Sequence, residues 1–288
     1  MISILLHGLA ALVYAALAVY FWQSRWGGQH GAVGHGRALA SGQVVARAGG
    51  FQWWERAILV VGVALHGALL ADDLFGGGQF RFGFAHALSM MAWLALVFYG
   101  VESFAYPLEG MPALILPPAA VSVMLPVLYG GAELSGRLQA PAFIAHVMIA
   151  MVAYGFIAIA AAHAVLMMVI ERRLHAKSRT APPRGLPPLL TMERLLFQMI
   201  GLGFLFLSMT VASGIVFSEE IFGRALMFDH KTVFGLLAWV IFAVLLLGRM
   251  AYGWRGRTAL NGTLAGFAAL LLAYIGSRFV LEALLGRV

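Results

Sequence analysis

Nine histidines lie in a chain of 288 residues of which only 11% are charged. His66 and His146 fall inside long apolar runs, and His86 and His230 stand at the start of two others. Ionisable side chains in lipid are costly and mark function by default. A neutral imidazole is the mildest of them, so a histidine satisfied between helices is the competing reading. Its lone pair ligates iron, zinc or copper. Zinc asks for further His, Cys or carboxylate ligands, but cysteine is absent and the nearest acids lie in loops. Haem asks only for axial ligands and a broad apolar cleft, and the chain offers small residues, Tyr154, Met90, Met91 and Trp93 to wall one. His66 and His146, at matched depth on different segments, are therefore the candidate axial ligands of a non-covalent, b-type haem iron. Met90 and Met148 keep a His–Met pair open. Secondary candidates are His86, His230 and Arg278, whose guanidinium suits a propionate or else Glu282 four residues on. His7 and His163 read as packing residues, and His30, His35 and His175 as solvated.

The elements that must position these groups are membrane helices. Hydrophobic residues make up 62% of the chain and mean hydropathy is +0.89, too apolar for a water-soluble surface. About eight spans can be marked: Ile2–Trp22, Trp54–Ala71, Phe82–Glu102, Met111–Gly130, Pro141–Ile170, Met192–Phe217, Lys231–Gly253 and Ala259–Leu284. Each approximates the roughly 20 residues that cross a bilayer. The expected fold is an all-α polytopic bundle in one integral-membrane domain, 1–288. The connections holding Arg25, Arg37, Arg47 and Arg56, then Arg172, Arg173, Lys177, Arg179 and Arg184, then Arg249, Arg255 and Arg257 fall on one side. By the positive-inside rule that side is cytoplasmic and both termini lie outside. This placement puts His66, His146, His86, His230 and His7 in the outer half and His163 deeper.

The net charge of +7 is thus a matter of topology, and no basic patch with interleaved aromatics indicates nucleic acid. Zero cysteines exclude disulfides and covalent haem attachment through CxxCH in this chain. The first apolar segment lacks a basic n-region and reads as a retained helix. No nucleophile elbow, HExxH or phosphate loop is present, so no enzyme activity is expected. Thr191 is placed to cap the sixth span and Asp229 the seventh. Pro117, Pro118 and Pro126 predict a fourth span that is kinked, or packed so that neighbours satisfy the freed carbonyls. Asp72 and Asp73 read as solvated at a helix end.

Several stretches resemble the cytochrome c assembly protein superfamily. They are "HVMIAMVAYGFIAIAAAHAVLMMVIERRL", "LPPLLTMERLLFQMIGLGFLFLSMTVASGIVF", "FDHKTVFGLLAWVIFAVLLLGRMAYGWRGRTA" and "LAYIGSRFVLE". Within that group they are similar to the YpjD/HemX-like branch, related to CcsA and CcmC. The resemblance runs over about 58–284 and is strongest from Pro141 to Glu282. It implies a haem-handling bundle of the bacterial inner membrane with a cytochrome c assembly partner. His146 matches the relatives' outer histidine, and His66 a histidine of an earlier span. "FDHKT" stands where relatives carry "WDPKET", keeping Asp229 and Lys231 but not the upstream tryptophans. The relatives' second outer histidine is replaced by the region of Glu282.

The leading expectation is a protein that binds and passes on haem in a cleft between spans two, three, five and seven. A membrane accessory or transport protein for a divalent cation is the alternative, with the histidines coordinating metal or serving structure. A structural subunit without a cofactor is the third.

Overall fold

The computed structural model describes residues 2–26, 51–133, 136–175, 185–222 and 230–273. Helix α1 (Ile2–Phe21) runs into a wider π-helical turn at Trp22–Trp26. It is followed by α2 (Trp53–Phe75), β1 (Arg81–Phe82), α3 (Phe84–Ala105), α4 (Pro112–Ser122), α5 (Leu125–Tyr129) and β2 (Ala132–Glu133). Then come α6 (Pro141–His175), α7 (Leu189–Phe222), α8 (His230–Tyr252) and α9 (Arg257–Leu271). Among the described residues, seven helical stretches are long and apolar enough to cross a membrane, and they coincide with the first seven expected spans. The chain is an all-α multi-pass membrane bundle. Helix α9 opens the eighth expected span, whose continuation lies outside the described residues, as do Asp229, Arg278, Glu282, His30 and His35. The outer end of the bundle is the one that the charge distribution assigns to the outside.

Without a hydrophobic drive between helices in lipid, close packing depends on small residues that admit a neighbour's side chain. A methyl on Gly155 would stand 2.5 Å from Leu94 Cβ, and one on Gly203 2.7 Å from Ile157 Cγ1. These notches seat α6, the central helix, against α3 and α7. Phe98 and Phe156 stack at 3.8 Å between centroids beside the first notch. The fourth span divides into α4 and α5 at Val123–Met124, just ahead of Pro126 in the first turn of α5, while Pro117 and Pro118 lie inside α4 without ending it. At the outer end β1 pairs antiparallel with β2, Phe82 opposite Ala132, tying two connections together.

At the inner end the arginines do more than set topology. Arg249 bonds Glu193 of α7 and the Trp254 carbonyl, while Arg257 Nε meets Glu171 of α6 at 3.1 Å. Gly253 and Gly256 have φ of 66° and 57°, the left-handed conformation that lets the α8–α9 turn close without strain. Trp254 then folds back on Gly248, where a Cβ would run into its ring.

Two local expectations are corrected. Thr191 does not cap α7: the helix starts at Leu189, because the Pro188 carbonyl already accepts from the Thr191 and Met192 amides at 2.8 and 3.1 Å. Asp73 is not simply solvated, since its carboxylate lies 3.0 Å from His7 Nε2.

Candidate functional site

A cavity of about 340 Å³ opens among the outer halves of α6 and α7, the first turns of α8, the end of α9 and Phe82 of β1. Phe143, Val147, Leu207 and Ile215 give it apolar walls, and Thr210, Thr232 and Lys231 add polar points. This volume lies at the low end of the roughly 300–1,000 Å³ typical of ligand pockets. It is formed where helices six to nine diverge above the Gly203 notch. The expected cleft between spans two, three, five and seven is therefore displaced: α2 and α3 contribute nothing to the lining.

His146 lines this cavity from the second turn of α6. Its Nδ1 lies 2.7 Å from Ser213 Oγ of α7. That hydroxyl donates its one proton to the Met209 carbonyl at 2.7 Å, with Thr210 O at 3.2 Å. Its oxygen is then left to accept, so Nδ1 carries the imidazole proton and donates it to Ser213. In a neutral ring the other nitrogen, Nε2, then holds a lone pair. No described residue bonds Nε2. A ring held at Nδ1–H with a bare Nε2 beside an apolar cavity is the state in which histidine ligates a metal. Phe143 and Phe217 flank the ring, with centroids 6.0 and 5.7 Å away.

His66 is not part of this cavity. It is fully buried, with Nε2 2.9 Å from Ser89 Oγ of α3 and Nδ1 3.3 Å from the Tyr14 hydroxyl of α1. Both nitrogens are engaged, so the structure does not bring His66 and His146 to one iron. His86 lies level with His146 on the parallel helix α3: the α3–α6 contacts Leu94–Gly155 and Glu102–His163 share one offset, which sets position 146 beside position 85. Its ring nevertheless sits behind Phe82, 6.5 Å between centroids, and its buried Nδ1 has no partner. Gly131 covers that ring, where a Cβ would stand 2.6 Å from Cε1. His230 is exposed at the start of α8 and does not line the cavity, although its neighbour Lys231 does. Met148 is absent from the lining as well, while Met151 is present.

The sequence reading missed several polar groups. His163 is not a plain packing residue; it meets Glu102 Oε2 of α3 at 2.9 Å, with both side chains buried. Glu102 sits at the end of an apolar run and an intramembrane acid is itself a signal. Ser213 carried no signal, because a serine in a helix usually bonds only its own backbone. At the inner end Arg25 joins Glu55 at 3.1 Å and Glu109 at 2.9 Å. The second contact is an ion pair without an aligned N–H. Burial raises the Glu109 carboxyl above its ordinary range; Arg25 pulls it down and Glu55 pushes it up.

Comparison with known proteins accords with this architecture. The family described as "Cytochrome C assembly protein" matches residues 54–285, from the start of α2 onward. The chain belongs to the cytochrome c assembly protein family. Among its relatives, the inner membrane protein YpjD of Escherichia coli K12 is 32% identical over 140 residues, 49% of this chain and 52% of YpjD. The cytochrome c biogenesis protein CcsA of Chlamydomonas reinhardtii is 27% identical over 207 residues, 69% of this chain and 58% of CcsA. CcsA of Gloeobacter violaceus is 32% identical over 94 residues, 33% and 28%. The chain thus spans about half the length of the curated relatives it matches. Within the cytochrome c assembly family it is similar to the YpjD-like branch. The family match holds the whole cavity and begins after α1.

Proposed function

We propose that this is a multi-pass protein of the bacterial inner membrane that binds non-covalent haem and hands it on. Its setting would be cytochrome c biogenesis or haem homeostasis, beside an assembly partner. The observation that carries this reading is His146: its Nδ1–H is fixed on Ser213, which leaves Nε2 as a ligand atom at an apolar cavity in the outer half. A bound haem would supply an iron centre for that nitrogen. The residues present suit the donor chemistry, with Lys231 at the cavity rim as a cation for a carboxylate. A whole tetrapyrrole is larger than this open cavity, so a bound haem would extend past its present walls or spread them. The role is binding and transfer, with no chemical conversion and no enzymatic turnover.

In this reading His146 is the first ligand and His66 is not its partner in this conformation. His86, level with His146 and bearing an unsatisfied nitrogen, is the better-placed second candidate, provided Phe82 moves. The divalent-cation alternative lacks support: among the described residues no three His, Asp or Glu side chains converge as a cation site needs.

The test is the visible spectrum of detergent-purified protein from a haem-replete host. A Soret band that is lost in His146→Ala and kept in His66→Ala is the expected result. No haem after expression and none on titration would overturn the reading.

A further inference from the structure

The seam between α1 and α2 holds three polar bridges. His7 meets Asp73, Tyr14 meets His66, and Arg25 meets Glu55. Each step inward along α1, from 7 to 14 to 25, is matched by an equal step along α2, from 73 to 66 to 55. One antiparallel register therefore satisfies all three. The inner bridge pairs a guanidinium with a carboxylate and the middle one a hydroxyl with an imidazole, whereas the outer one sets an imidazole against a carboxylate, a contact that one proton on the ring turns into an ion pair.

His7 is almost wholly buried, and both of its nitrogens face acceptors. Nδ1 lies 2.8 Å from the Ser3 carbonyl, with the Ser3 hydroxyl farther off at 3.4 Å, and Nε2 lies 3.0 Å from Asp73 Oδ2. A neutral imidazole has one N–H and can donate to only one of them. Making both contacts as donor takes two ring protons. The remaining titratable and charged groups around this end are few. Helix α2 presents Asp72, and His66 two turns below; Arg81 stands on β1 and His86 at the start of α3. Helices α4 and α5, which pack beside α1 and α3, contribute no ionisable side chain except Tyr129.

We infer that His7 is an imidazolium pin, a proton from the outer compartment that latches the outer turns of α1 to α2. Without that proton the ring keeps a single N–H: on Nδ1 it leaves a lone pair facing the Asp73 carboxylate, and on Nε2 it keeps only a neutral donor there, so in either tautomer the outer bridge loses its charge–charge attraction. The outer end of α1 is then held less firmly to α2 and fluctuates toward the lipid side that Leu5, Leu9 and Leu12 face. Because Tyr14 lies on the same helix, the latch also governs how firmly His66 is covered. Helix α1 precedes the segment matched by the family, so the device belongs to this chain's own N-terminal helix. It does not depend on haem binding.

The absence of cysteine makes the test direct. Leu5→Cys and Ala71→Cys place spin labels on exposed positions of the two outer ends. Their separation is read by pulsed electron resonance in nanodiscs at about pH 5 and about pH 8.5, on either side of histidine titration. The expected result is one short, narrow distance in acid and a longer or broader one in base, with the difference abolished by His7→Gln. Equal distances at both pH values, or a shift that persists in His7→Gln, would overturn the inference. An independent measurement needs no variant: nitrogen-15 spectra of labelled histidine should show one ring protonated at both nitrogens in acid. If His7 is singly protonated there, the pin does not exist.

Discussion

Ser213→Ala isolates the orientation of His146 from its presence. The substitution removes one oxygen that lies 2.7 Å from Nδ1 and leaves the imidazole in place. Net, such a hydrogen bond contributes about 0.5–1.5 kcal/mol. At 1.4 kcal/mol per tenfold, haem affinity should fall about 2- to 12-fold. Losses of up to about 100-fold occur where an outer partner fixes a metal-ligating histidine. Ser213 is partly exposed, so water can replace some of its hydrogen bonding and the lower range applies. The same hydroxyl bonds back to Met209 O, an arrangement that bends helices slightly, so alanine should not lower the melting temperature. A weakened affinity with unchanged stability is the signature of lost orientation. The assay is haem titration of purified apoprotein followed at the Soret band, with Ser213→Thr restoring the hydroxyl and most of the affinity. If Ser213→Ala binds with wild-type affinity and spectrum while His146→Ala does not bind, the tautomer argument is wrong.

Other perturbations probe the bundle. Glu102→Leu leaves a buried His163 nitrogen without its hydrogen-bond partner and should cost about 1–3 kcal/mol, whereas Glu102→Leu with His163→Leu should recover most of it; thermal unfolding in detergent reads both. Gly248→Ala drives a methyl into the Trp254 ring and should destabilise by about 1–3 kcal/mol, while loosening Arg249 from Glu193. Glu109 holds its proton more tightly folded than unfolded, so that group penalises the fold as pH rises from the ordinary carboxylate range through its raised folded value. Glu109→Gln should flatten that part of the stability–pH profile, and an unchanged slope would show that Arg25 fully compensates the burial.

The spans and the membrane environment were legible in the sequence because each is a local property. A run of about twenty apolar residues must cross lipid as a helix, whatever it packs against. The split of the fourth span follows from Pro126 for the same local reason, whereas Pro117 and Pro118 are taken up inside α4. His146 was legible too, as an imidazole in an apolar run. Its partner was not: a uniformly apolar helix has no polar face to report its rotation, so nothing in the sequence said that position 146 turns toward Ser213 or that position 66 turns toward Tyr14 and Ser89.

Depth and rotation together make a site, and the sequence determined only the depth. It placed His66, His86 and His146 in one half of the membrane and supplied the glycines and prolines that shape the helices. Tertiary structure decided which of them meet. The notches at Gly155 and Gly203 set how α6 leans on α3 and α7, and that lean opened the cavity between α6 and α9. The packing of α1 on α2 covers His66, where the equal spacing of 7, 14 and 25 against 73, 66 and 55 fixes the register. Those spacings lie in the sequence, but they acquire meaning only when two antiparallel helices are laid side by side. Pairing energies in lipid act between chain-distant groups, and no local rule of the chain encodes them.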